Sequence, residues 1–89
     1  MTENKLLIGS LSNDLLRTAN LIQRGSNLAA QKFLLEAKKW ANQLSNYSQK
    51  KYIQNIIQDV RSETELSMKQ AEKFLMYSIL LQNYALHMN

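Results

Sequence analysis

The chain has 89 residues, of which 45% are hydrophobic, and its formal net charge at pH 7 is +4. This length and apolar content fit one small globular domain and argue against wholesale disorder. The sequence contains no cysteine and no proline, which excludes disulfides, zinc–thiolate sites and thiol nucleophiles and disfavours turn-rich β folds.

The first residues of the chain indicate its location in the cell, and its net charge indicates what kind of partner it can bind. The opening stretch, MTENKLLIGSLSND, has too short an apolar run for a secretory signal, so we expect a cytoplasmic protein. The mild positive charge permits an anionic partner without requiring one.

The first predicted helix runs from Thr2 to Arg24. Gly25 follows it and is expected to end the helix in a left-handed conformation, after which Ser26 or Asn27 can cap the next helix. Apolar residues recur at intervals of three and four and form a single stripe: Ile8, Leu11, Leu15, Ala19 and Ile22.

The second predicted helix runs from Ser26 to Ser45 and is amphipathic. Trp40 falls on its alanine-rich apolar face, which predicts that the indole packs inward. Leu28 and Leu35 lie away from that face among lysines, which suits a minor contact, for example with a second chain.

The last two predicted segments are Ser48 to Arg61 and Glu63 to His87. The stretch from Ser62 to Glu65 matches a capping box, which favours a new helix there. No glycine or proline enforces that break, so one continuous helix about 60 Å long is the alternative. Half of such a helix would project from the monomer and would require a partner.

These segments predict the fold class. We expect an all-α protein whose residues 1–89 form a single domain. Its architecture is an antiparallel up-and-down bundle of three to four helices, with the last two segments forming two helices or one long helix.

The final segment has two apolar faces on a helical wheel, and each needs a neighbour. One is expected to close the bundle: Met68, Ala71, Phe74, Leu75, Ile79 and Leu86. The other also includes Leu66, and five of its residues are the predicted protein interface: Tyr77, Leu80, Leu81, Tyr84 and Met88.

Three other kinds of site find little support in the sequence. The uncharged run at the end of the chain is shorter than the roughly 20 residues that span a membrane, and polar residues interrupt it. His87 is the single histidine and has no Glu-x-x-His partner, so we expect no metal and no cofactor. No nucleophile motif or phosphate-binding glycine loop occurs, and we therefore expect no enzymatic activity.

Basic and aromatic residues gather around the second predicted loop. The candidate anion or nucleic-acid patch consists of four lysines: Lys38, Lys39, Lys50 and Lys51. Lysines can meet phosphates and exposed tyrosines can stack on bases. This makes a small nucleic-acid-binding protein the alternative function, while a small-molecule pocket between helices stays open.

The leading expectation is a non-enzymatic helical interaction module. Its last helix has more apolar surface than three short companions can easily cover. We therefore expect a homodimer that also docks to another protein, through contacts of the kind that tyrosine and methionine make at interfaces.

Overall fold

The computed structural model describes residues 2–88, and within them the protein is an all-α bundle of four helices. The helices are α1 (Glu3–Gln23), α2 (Asn27–Leu44), α3 (Lys51–Ser62) and α4 (Met68–Leu86). The predicted fold class is thereby confirmed, and of its two alternatives the structure has two separate helices at the end of the chain.

The helices run alternately up and down, as contacts between neighbours show. The Ser12 hydroxyl in α1 donates to the Ser78 carbonyl in α4 at 2.7 Å, and the Lys5 ammonium contacts the Met88 carbonyl at 3.5 Å. The start of α1 therefore lies beside the end of α4. Helix α1 packs closely against both α2 and α4, and α3 lies against α2.

The core draws on all four helices, and α1 contributes most to it because it has a neighbour on two sides. The helical stripe predicted for α1 is buried in full. The largest fully buried apolar side chains are Ile8, Leu11, Leu15, Leu44, Ile53, Val60, Phe74 and Leu81.

A buried carboxylate ties α1 to α2. Asp14 is 3% exposed, and its Oδ2 accepts a hydrogen bond from the Trp40 indole N–H at 2.8 Å. Burial raises the pKa of Asp14 above its ordinary value of 3.8, and the Trp40 hydrogen bond partly offsets that effect. The indole is thus turned toward the interior, which agrees with its place on the apolar face of α2.

The α1–α2 turn has the geometry that the sequence predicts. Gly25 has a φ of +78°, and its N–H donates to the Ile22 carbonyl at 3.0 Å. The Ser26 N–H donates to the Leu21 carbonyl at 2.8 Å. These two bonds form a Schellman motif, which satisfies carbonyls that the helix end leaves free.

The chain leaves helical conformation after Ser62, near the predicted break, but α4 begins further along the chain than the capping box predicted. The Ser62 hydroxyl bonds back to carbonyls of α3, so Ser62 closes that helix and does not start the next. Residues 63–67 are non-helical, and α4 begins with Ser67 as its N-cap, accepting from the Gln70 N–H. The N-cap hydrogen bond of α4 is therefore the one from the Gln70 N–H to the Ser67 hydroxyl.

Substitution of the two glycines tests the turn. Gly25→Ala should lower the free energy of unfolding by about 1–2 kcal/mol, because only glycine adopts a left-handed backbone without cost. An added Cβ meets no atom within 4 Å at Gly25 or at Gly9, so sterics do not enter either comparison. Chemical denaturation measures both variants.

Gly9 supplies the matched control. It lies inside α1, where alanine is the better helix former, so Gly9→Ala should raise stability by up to about 1 kcal/mol. Equal effects of the two substitutions would contradict the assigned turn.

Candidate interaction surface

A cluster of polar side chains joins α3 to α4 through hydrogen bonds and ion pairs. The Tyr77 hydroxyl in α4 donates to Asp59 Oδ2 in α3 at 2.5 Å. The Lys73 ammonium in α4 lies 3.0 Å from the same carboxylate oxygen and also forms an ion pair with Glu63. Glu63 additionally accepts the N–H groups of Thr64 and Glu65. This cluster holds the segment that turns the chain from α3 into α4.

Burial and hydrogen bonding set the pKa values in the cluster. Burial alone would raise the pKa of Asp59, but the hydrogen bonds from Tyr77 and Lys73 outweigh it and lower that pKa below 3.8. Burial would also raise the pKa of Glu63, but the Lys73 ammonium and the N–H groups of Thr64 and Glu65 together outweigh it and lower that pKa. Burial and the hydrogen bond to Asp59 raise the pKa of Tyr77 to about 12. At neutral pH the phenol therefore remains a donor and Asp59 a charged acceptor.

A second tyrosine of α4, Tyr84, contacts the N-terminal end of α3. The Tyr84 hydroxyl donates to Gln49 Oε1 at 3.1 Å, and Gln49 is buried and donates to the Asn4 side chain at 2.7 Å. The Tyr84 ring meets the Tyr52 ring edge-on, with centroids 6.1 Å apart. This arrangement is a favourable aromatic pairing. Helix α3 is thus held to α4 at both ends.

These contacts correct the predicted interface. Leu81 is fully buried in the core, so it offers no surface to a second chain. Tyr77 and Tyr84 are half-buried against α3, and Met88 is half-buried against the core. Leu80 is the one predicted interface residue that remains exposed, at 36%. Separate helices explain this outcome, because α3 folds back and covers the tyrosine side of α4.

The open apolar surface lies on the other side of α4, beside α1. Met68, Ile79 and Leu86 are exposed there, although the sequence predicted that they close the bundle. Ala71 and Phe74 of the same predicted face are buried as expected. We call this surface the outer α1–α4 face. Its exposed members are Leu6 (55%), Leu16 (40%), Met68 (55%), Ile79 (58%) and Leu86 (69%).

A shallow groove runs along the outer α1–α4 face. Two adjoining hollows of about 190 and 280 Å³ lie between the helices, with Gly9 and Ala85 in both. Leu6 and Leu86 flank them. Lys5 and Asn13 also line both hollows, and the small residues Gly9 and Ala85 leave room for another helix between the longer side chains.

The four candidate lysines do not form one patch. Lys50 and Lys51 lie at the start of α3, whereas Lys38 lines a hollow with Glu63, which caps the end of α3. The length of α3, about 18 Å, separates the two sites. Lys38 is half-buried and its neighbour there is a carboxylate, so the structure does not gather a phosphate-binding cluster.

The hollows of the molecule are small. One of them measures about 240 Å³ and lies where α2 turns into α3, beside Leu44, Gln49 and Ile57. Small-molecule sites typically occupy about 300–1,000 Å³. Across residues 2–88, no three histidine or acidic side chains come together as metal ligands.

No family model matches the sequence, and neither the curated proteins nor the solved structures contain a match. Over the same described residues, none of the four helices combines the length and the hydropathy that a membrane span needs.

The α3–α4 cluster predicts a loss of stability in alkali. An unfolded tyrosine ionises near pH 10, whereas Tyr77 in the folded protein ionises at about 12. Between these values the unfolded state loses its proton first, so the free energy of unfolding should fall as the pH rises. Denaturation curves across this range, with the ultraviolet absorbance of tyrosinate, measure the effect.

Tyr77→Phe should remove that part of the alkaline loss, and it should remove the most alkaline step from the tyrosinate titration. Tyr52→Phe is the control, since Tyr52 is 45% exposed, and the alkaline loss should persist in that variant. An unchanged pH dependence in Tyr77→Phe would show that the hydroxyl does not hold α3 to α4.

Proposed function

We propose that the protein is a non-enzymatic helical interaction module that self-associates as a homodimer through the outer α1–α4 face. The observation that carries the proposal is the exposure of large apolar side chains on two adjacent helices of one small domain. Contiguous apolar surface on a small protein commonly marks a contact site, and closed two-fold dimers are the commonest assemblies of identical chains.

The ion pairs and hydrogen bonds of the titratable side chains support the same proposal. The ionic groups with shifted pKa values on α3 and α4 bond to one another, and that bonding explains them as helix–helix contacts. Glu63 lines a small hollow with Lys38, but its carboxylate is held by Lys73 and by the N–H groups of Thr64 and Glu65. Asp14 is likewise occupied by Trp40.

The proposal also includes a second, different protein partner and a cytoplasmic location. Leu28 and Leu35 on α2 are 78% and 56% exposed, and self-association through α1 and α4 would leave them free. The cysteine-free sequence fits a reducing compartment.

Ile79→Glu tests the proposal directly. Ile79 is 58% exposed, so the substitution should leave the monomer folded, while a buried unpaired carboxylate would oppose dimerisation. We expect sedimentation velocity to show a concentration-dependent dimer for the original chain and a monomer for the variant.

Leu28→Glu is the matched control, since it places the same charge on an exposed apolar position of α2. It should leave the dimer intact. A chain that stays monomeric at high micromolar concentration would overturn the proposed self-association.

A further inference from the structure

Six residues on the solvent-facing side of α4 recur at regular intervals along the helix. Five of the residues concerned are exposed and Leu75 is half-buried. The spacing alternates between four and three, which is the spacing of the a and d positions in a coiled coil. The six positions of this α4 seam are Met68, Glu72, Leu75, Ile79, Gln82 and Leu86.

The α4 seam is symmetric about residue 77. Met68 and Leu86 stand nine positions on either side of it, Glu72 and Gln82 stand five, and Leu75 and Ile79 stand two. If a second copy of α4 lies antiparallel across the first, each residue therefore meets its counterpart. Apolar residues meet apolar residues, and the two polar positions meet one another.

The polar pair decides the orientation. In the antiparallel arrangement Glu72 of each copy faces Gln82 of the other, so a carboxylate meets an amide N–H donor. In a parallel arrangement Glu72 would face the second copy's Glu72, and like charges at a seam are unfavourable. Glu72 and Gln82 are ten positions apart on one helix, about 15 Å, so they cannot satisfy each other within one chain.

Helix α1 completes the surface. The groove between α1 and α4 includes Gln82 and Leu86 of the α4 seam together with Gly9. A second α4 over the seam would therefore also cover the exposed leucines of α1, Leu6 and Leu16. Both helices of the outer α1–α4 face would then be buried by one partner.

We propose that two copies of this chain pair through the α4 seam, antiparallel, with the two-fold axis at residue 77 and Glu72 of each copy accepting a hydrogen bond from Gln82 of the other. This inference rests on the proposed function, because it assumes self-association. It adds the orientation, the register and the pair that fixes them.

An exchange of the polar pair tests the register. Gln82→Glu places a second carboxylate opposite Glu72 at two symmetric positions, so the dimer dissociation constant should rise by about tenfold or more. Glu72→Gln with Gln82→Glu restores one carboxylate and one amide at each contact. That double variant should dimerise within about threefold of the original chain.

Sedimentation equilibrium measures these constants, and circular dichroism checks that each variant keeps its helices. Both side chains are exposed in the monomer, so the folded structure should tolerate every substitution. If the original chain dimerises but Gln82→Glu has no effect, or the double variant stays as weak as Gln82→Glu, the seam is wrong while self-association stands. A monomeric original chain overturns both proposals.

Cysteine cross-linking tests the orientation independently, because the natural chain has no cysteine. Met68→Cys and Leu86→Cys should each fail to form a disulfide dimer alone. An equimolar mixture should form the mixed dimer under mild oxidation, since Met68 faces the second copy's Leu86 in the antiparallel seam. Efficient cross-linking of each variant with itself would overturn the antiparallel arrangement.

Discussion

The side-chain contacts between α3 and α4 decide which side of α4 is covered within the monomer. Asp59 receives both the Tyr77 hydroxyl and the Lys73 ammonium, and Lys73 reaches on to Glu63 in the connecting segment. A partly buried ion pair contributes when hydrogen bonds satisfy its remaining groups, and the Tyr77 hydroxyl and the backbone N–H groups at Glu63 do so here. The non-helical connection is thereby held in one conformation.

As a consequence, α4 is covered on two sides and its third side is open to solvent. Helix α3 covers the side that carries Tyr77 and Tyr84, and α1 covers the side that carries Phe74 and Leu81. The remaining direction faces solvent with Ile79 and its neighbours, since a four-helix bundle of this length has no further helix to supply. In the proposed dimer the second copy supplies that helix.

The sequence predicted most of the fold but not the open surface. Periodicity identified the buried stripe of α1, and Gly25 identified the turn, because both signals are local. The sequence placed the break near Ser62 correctly, but it assigned the N-cap of α4 to Ser62 instead of Ser67. A helical wheel resolved two apolar faces of α4, but it could not tell which neighbour covers each one. Periodicity alone therefore predicts that Tyr77 and Tyr84 meet a partner chain, whereas their hydroxyls bond within the monomer.

A distance between α3 and α4 tests the return of the chain most directly. Spin labels on cysteines that replace Lys51 and Asn83, both exposed, would report it by pulsed electron paramagnetic resonance. Labelled chain diluted into an excess of unlabelled chain restricts the measurement to pairs within one molecule. A short distance is predicted, because the adjacent Tyr52 and Tyr84 rings lie 6.1 Å apart. A distance near 48 Å, the length of about 32 residues of continuous helix, would contradict it.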